Sequence, residues 1–149
     1  MIDLRIDVDL VRGKLTEFIR AQVKGAGFER AVLGLSGGID SALACFLAAE
    51  ALGGENVLAV RMPYRSSSAE SLSDAQKVVE ATGVQAMTLP ITEMADALIQ
   101  RFPDMNALRR GNIMARCRMI TLYDQSAAFG GLVVGTGNKT EYWLGYTTL

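Results

Sequence analysis

The sequence predicts an α/β fold, a parallel β-sheet flanked by helices on both faces. Three observations carry this expectation. Apolar runs of strand length alternate with stretches whose apolar residues keep helical spacing. Gly53-Gly54, Gly130-Gly131, Pro63 and Pro90 punctuate that alternation. Repeated strand-helix units imply parallel strands, because right-handed crossovers carry the helices onto the sheet's faces.

The first element is a helix near residues 8–24, where Leu10, Val11, Leu15, Phe18, Ile19 and Val23 recur at helical spacing before Gly25 and Gly27. Its stripe reads as a packing face. Ala31-Val32-Leu33-Gly34-Leu35 is a strand, Ser36-Gly37-Gly38 a tight loop, and Ser41 to Leu52 a helix. Val57 to Met62 forms a second strand ended by Pro63, and Tyr64 to Ser68 a polar loop. Leu72, Ala75, Val79 and Thr82 mark one face of a helix over 71–82, Gly83 ends it, and Val84 to Leu89 is the third strand. A short helix over 92–101 precedes a long one over 106–129, whose inner side carries Ile113, Cys117, Ile120 and Ala127. Leu132 to Gly135 is the fourth strand, and Thr136 to Glu141 a polar loop at its carboxyl end. Ligands of such sheets bind beyond the carboxyl ends of the strands.

Bulk properties exclude several functions. A length of 149 residues predicts one domain over 1–149, and a chain half apolar, 21% charged and only 7% aromatic suits helices on a small buried sheet. Fifteen Lys and Arg against sixteen Asp and Glu leave no basic surplus for nucleic acid. No apolar run approaches the roughly 20 residues of a membrane span, and the N-terminus lacks the order of a signal peptide. Cys45 and Cys117 lie far apart, which suggests neither a disulfide framework nor a zinc site and fits a reducing cytoplasm. With no histidine in the chain, chemistry must run on phosphate, metal, carboxylate and ammonium groups.

Leu33 to Ser41 places small residues between a buried strand and a helix start, where backbone N–H groups and the helix dipole favour an anion. Gly37 and Gly38 allow close approach, Ser36 and Ser41 add hydroxyls, and Asp40 offers a carboxylate to hold magnesium against bound phosphates. Neither a Walker loop nor a dinucleotide-binding glycine fingerprint matches, and Ser-Gly-Gly-x-Asp-Ser is richer than a helix cap requires. Elsewhere the residues leave alternatives open. Asn112 and Arg116 share a helix face that can grip phosphate or ribose oxygens, or be solvated with Arg109, Arg110 and Arg118. Lys139 can neutralise a phosphate or stay in water; Met62, at a strand end, can frame an adenine. Tyr142 and Trp143 read as packing anchors, Cys45 and Cys117 as core residues, and the stretches 64–68 and 138–142 as candidate lids.

Ser36-Gly37-Gly38-Ile39-Asp40-Ser41 resembles the signature loop of the ATP-pyrophosphatase (PP-loop) superfamily, whose members split ATP between its α and β phosphates. Further segments narrow the resemblance. Met62-Pro63-Tyr64-Arg65 with Ser66-Ser67-Ser68, Asn112 to Met119, Gly135 to Glu141, and Gly145-Tyr146-x-Thr148 are similar to NAD synthetase, and they occur in its order. The resemblance implies a Rossmann-like, adenine nucleotide alpha hydrolase-like fold and the ATP-dependent amidation of deamido-NAD with ammonia through an adenylated intermediate. It implies ATP contacts from Gly34, Ser36, Gly37, Gly38, Ile39, Asp40, Ser41, Met62 and Thr136. Deamido-NAD contacts would come from Asn112, Arg116 and Lys139, and Mg2+ would sit between Asp40 and Glu141. No side chain would act as nucleophile, and a homodimer would be the working form.

The family pattern runs on past Gly-Tyr-x-Thr into Tyr-Gly-Asp and elements that supply deamido-NAD contacts. The expectation is therefore that residues 1–149 lack the C-terminal part of the family domain. A start just before the first helix leaves no room for an amidase domain, so free ammonia is the expected nitrogen source. Two other readings share the loop: the synthetase half of a GMP synthetase, and a nucleotide-binding module without turnover.

Overall fold

Residues Arg30–Gly34 (β1), Val57–Arg61 (β2), Gln85–Thr88 (β3) and Gly131–Val133 (β4) form a parallel sheet in the computed structural model, which describes residues 5–145. The strand order is β3-β2-β1-β4. Ala31 pairs with Val57 on one side of β1, and Arg30 with Gly131 on the other. The chain thus leaves β1 towards one edge and returns to its opposite side.

Six α-helices complete the described residues: Val8–Gly25 (α1), Ile39–Leu52 (α2), Ala69–Thr82 (α3), Thr92–Ile99 (α4), Ala107–Phe129 (α5) and Lys139–Leu144 (α6). The central strands β1 and β2 are buried on both faces, so their apolar runs are continuous and the alternation appears in what each residue meets, whereas the edge strand β3 is largely exposed. Leu33, Leu35, Val57 and Ala59 pack with Cys45 and Ala48 of α2 and Ala75 of α3. Val32, Leu58 and Val60 point the other way, against Ile91, Ala95 of α4 and Cys117 of α5. Both cores follow from the period of two in the strands and the small residues that let α2 approach closely. None of the helices among the described residues is long and apolar enough to cross a membrane.

The predicted elements occur, with four differences. Residues 139–144, expected as loop and lid, form α6: the Asn138 side chain accepts from the Glu141 amide, and the Glu141 carboxylate accepts from the Asn138 amide. A short 3-10 turn at Gly54–Asn56, not anticipated, leads into β2. The inner stripe of α5 is Ile113, Met114, Cys117, Thr121 and Leu122, so Ile113 and Cys117 pack as expected, whereas Ile120 is 55% exposed and Ala127 is exposed too. Thr121 can join that stripe because its hydroxyl donates to the Cys117 carbonyl at 2.9 Å. On α1 only part of the apolar face packs. Val23 is buried, Leu10, Leu15 and Phe18 are exposed, and Arg12 to Glu50 and Arg20 to the Ala51 carbonyl tie the helix to α2.

Candidate functional site

Strand β1 is the point where the order of the sheet reverses, and the crevice beyond its carboxyl end is where open α/β sheets bind ligands. Two chain segments meet there: the loop from β1 to α2, and the segment from β4 to α6. Side chains cap α1, α3, α5 and α6, but none caps α2, whose N-cap residue Gly38 lines that crevice.

The loop before α2 is held from within. The Ser41 hydroxyl donates to the Gly38 carbonyl at 2.9 Å and accepts from the Ser36 amide at 3.2 Å; the Gly38 amide donates to Ser36 Oγ at 3.2 Å. Ser41 is buried and braces the loop from behind, whereas Ser36 and Gly38 line the crevice. Gly37 has φ +87°, and a Cβ there would stand 2.2 Å from the Ser71 carbonyl oxygen. Only glycine serves at this position, where conformation and close approach coincide. Ile39 is 81% exposed on the first turn of α2 and does not line the crevice.

The crevice has a volume of about 750 Å³, within the range of small-ligand pockets. Gly34 and Met62 form part of its floor, and Thr136 closes it on the β4 side. Met62 is buried, with its methyl group 3.1 Å from where a Cβ on Gly34 would stand. Two arginines that sequence reasoning did not select also line it. Arg61, at the end of β2, donates to the Gln76 side chain at 2.7 Å, while its buried Nε has no hydrogen-bond partner among the described residues. A buried guanidinium nitrogen without a partner is uncommon and marks Arg61 as a residue to test. Arg118, on α5, donates from Nε to the Met62 carbonyl at 3.2 Å, and burial pushes its guanidinium pKa below the ordinary value. Both were legible only as charges at a strand end and on a helix face, a pattern shared with solvated arginines.

Asp40 lies on the neighbouring side of the same loop. Its Oδ2 accepts from the Asn138 side-chain amide at 3.4 Å, and Asn138 is also the residue that Glu141 caps. Asn138 thus links the two carboxylates proposed for a metal. Among the described residues no group of three or more His, Cys, Asp and Glu side chains could hold an ion. Two carboxylates still match the donor set of Mg2+, which takes one or two carboxylates and completes its shell with water and substrate phosphates. One Glu141 oxygen serves the capping box, leaving the other for an ion.

Other predicted residues lie apart from the loop. Asn112 and Arg116 line a separate cavity of about 370 Å³ with Phe102 of the loop after α4 and Arg109 of α5, and Arg116 donates to the Asn112 carbonyl at 3.3 Å. Lys139 is exposed, its Nζ 5.8 Å from the centre of the Trp143 ring. Tyr142 and Trp143 are exposed and anchor no core, because α6 turns them outward. The 64–68 stretch is braced: the Ser67 amide donates to the Tyr64 carbonyl and the Tyr64 amide to Ser67 Oγ. Cys45 and Cys117 are buried with thiol pKa values raised by burial, as core residues should be. Tyr146 and Thr148 of the Gly-Tyr-x-Thr segment lie outside the described residues.

Comparison with known proteins sharpens this picture. The family model described as NAD synthase matches residues 11–149. An NH(3)-dependent NAD(+) synthetase from Trichlorobacter lovleyi is 57% identical over 149 residues, covering 100% of this chain and 55% of the relative. The chain spans about half the length of the curated relatives it matches. Among solved structures, the NH3-dependent NAD synthetase of Campylobacter jejuni, in complex with nitrate ion, superposes with a TM-score of 0.90 at 40% identity, over 97% of this chain and 62% of that one. The glutamine-dependent NAD+ synthetase of Acinetobacter baumannii, in complex with ADP, gives 0.91 at 35% identity, over 100% of this chain and 29% of that one.

Proposed function

Because the chain belongs to the NAD synthase family, we propose that it binds ATP and serves the amidation of deamido-NAD to NAD with ammonia. The observation that carries this reading is the uncapped N-terminus of α2, reached through the Ser36–Ser41 loop and facing a crevice of about 750 Å³ beyond β1. The ADP held by the Acinetobacter relative is in keeping with it.

In this reading the nicotinate carboxylate attacks the α-phosphate of ATP, pyrophosphate leaves, and ammonia displaces AMP from the resulting adenylate. Gly34 and Met62 cover the adenine, and Thr136 touches the nucleotide from the β4 side. The amides at the start of α2, with Ser36, Gly37, Gly38 and Ile39, receive the pyrophosphate, and Ser41 keeps the loop in shape. Arg61, which lines the crevice, adds positive charge beside the phosphates. Such fixed donors act on charge as it develops on the leaving group. Asp40 and Glu141 hold Mg2+, which when bound offsets phosphate charge. Asn112, Arg116 and Lys139 are assigned to deamido-NAD, the first two from a separate cavity on α5 and Lys139 from the start of α6. A homodimer and a reducing cytoplasmic setting belong to the same proposal.

The test is to mix the chain with Mg2+, ATP, deamido-NAD and ammonium, and to assay NAD and pyrophosphate together. Formation of both supports the reading. Pyrophosphate release with nicotinate mononucleotide and not deamido-NAD would redirect it to a shorter acceptor, the reaction class suggested by a solved NMN synthetase from Francisella tularensis at 28% identity and TM-score 0.88. Release with xanthosine monophosphate alone would make it a GMP synthetase-like enzyme. ATP binding without release under any acceptor would describe a nucleotide-binding module.

A further inference from the structure

The segment after β2 forms one wall of the nucleotide crevice, through Met62, Pro63 and Ser67. Its inner side is fixed by backbone bonds: Leu89 N–H donates to the Arg61 carbonyl at 2.9 Å and Ile91 N–H to the Pro63 carbonyl at 3.0 Å. Beyond Pro63 the backbone turns away from the sheet, and the next two side chains reach across to one carboxylate on α4. The Tyr64 hydroxyl donates to Asp96 Oδ1 at 2.8 Å, and the Arg65 guanidinium pairs with Asp96 Oδ2. Asp96 is buried, with a side chain only 13% exposed, while Arg65 is exposed and packs its guanidinium 5.5 Å from the Tyr64 ring centre.

We propose that Asp96 is a positioning residue for the nucleotide site, clamping Tyr64 and Arg65 from outside so that Met62, Pro63 and Ser67 keep their places along the crevice wall. The proposal rests on the ATP reading of that crevice. Asp96 does not line the crevice, so it acts through the turn. A carboxylate taken out of water is stable only where its lone pairs are met. Here one donor is a hydroxyl and the other a cation, on adjacent residues, so the pair fixes both the position and the direction of the turn. Two further bonds inside the turn, from Ser67 N–H to the Tyr64 carbonyl at 2.8 Å and from Tyr64 N–H to Ser67 Oγ at 3.0 Å, carry that order on to Ser67. Arg118, bonded to the Met62 carbonyl, holds the other end of the same wall.

The experiment compares Asp96→Asn, Arg65→Met and the double variant by ATP titration and by amide hydrogen exchange over residues 63–68. Asn keeps an acceptor for Tyr64 but removes the charge that Arg65 pairs with. Asp96→Asn is expected to weaken ATP binding by about tenfold, the scale of one lost charge-assisted bond, and to speed exchange in the turn. Arg65→Met should do the same, and the double variant should add little, since both break one pair. A brace serving only the fold would lower the melting temperature and leave the affinity of the folded protein unchanged; that result, or additive losses in the double variant, overturns the proposal. Arg65 is exposed, so its variant decides the matter if Asp96→Asn does not fold. Failure of the unaltered chain to bind ATP counts against the reading of the crevice, and the exchange measurement then decides the clamp by itself.

Discussion

The side-chain amide of Asn138 lies 3.4 Å from the carboxylate of Asp40, joining two segments 98 residues apart in sequence. Asn138 caps the helix that carries Glu141, so one residue holds both carboxylates: its side-chain amide donates to Asp40 and its backbone N–H to Glu141. Asp40 is exposed, so Asp40→Asn should leave the fold intact. It is expected to weaken Mg2+-dependent ATP binding by about tenfold or more, the scale of a lost charged contact, while binding in EDTA stays unchanged. Glu141→Gln keeps an oxygen for the capping box and should show the same pattern. Calorimetric titrations with and without Mg2+ check this, and equal losses in both conditions would remove the pair from the metal role.

Gly37→Ala and Gly27→Ala separate conformation from crowding. Both glycines have positive φ, +87° and +83°, but a Cβ at Gly27 meets nothing within 4 Å. Gly27→Ala should therefore cost about 1 kcal/mol, the left-handed penalty alone. Gly37→Ala must also push Ser71 of α3 away, so its loss is expected to be at least about twice as large, with ATP binding reduced. Urea unfolding of the two variants provides the comparison.

Leu33 sits at the centre of the sheet with no exposed surface. Leu33→Ala should lower stability by about 3 kcal/mol, the size seen for deeply buried leucines. A loss under about 1 kcal/mol would mean that the core collapses around the gap.

Burial raises the Cys45 thiol pKa, with the Thr82 hydroxyl, 4.0 Å from the sulfur, opposing it weakly. A folded value above the unfolded one means that the folded chain holds the proton more tightly. Its contribution to stability is therefore complete below the unfolded pKa and is lost as pH rises through the folded one. Between about pH 8.5 and higher alkalinity, the unaltered chain should lose stability more steeply than Cys45→Ala, measured as melting temperature against pH. Parallel slopes would show that the thiol does not titrate in this range.

Much of the fold was legible in the sequence because its local signals agree. Val57 to Val60 is both a strand-length apolar run and a stretch buried on two faces, and Gly83 and Gly130 end helices in the left-handed conformation that suits glycine. The loop before α2 was legible for the same reason, since Gly37 and Gly38 fall between a strand and a helix. What stayed hidden depends on partners distant in sequence. Helix α6 hides in a polar stretch because its cap, Asn138 with Glu141, uses residues that loops also favour. Arg61, Arg118 and Asp96 read as ordinary surface charges until the sheet places Gln76, the Met62 carbonyl and Tyr64 beside them. Ile120 was misplaced because a slip of one residue, about 100° around a helix, exchanges it for Thr121 on the side that meets the sheet.

Strand β1 finds its second neighbour only after a further hundred or so residues, since Arg30 pairs with Gly131. On a ribosome adding about 5–20 residues per second, the strands β1, β2 and β3 can assemble several seconds before β4 emerges. During that interval one side of β1 presents unpaired amides and carbonyls, an edge that invites pairing with another chain. The Ser36–Ser41 loop would already be folded, while Thr136, Asn138 and Glu141 arrive with β4 and after it. Nucleotide that needs both segments can then bind only after the exposed edge has been closed, which ties ligand capture to the docking of β4.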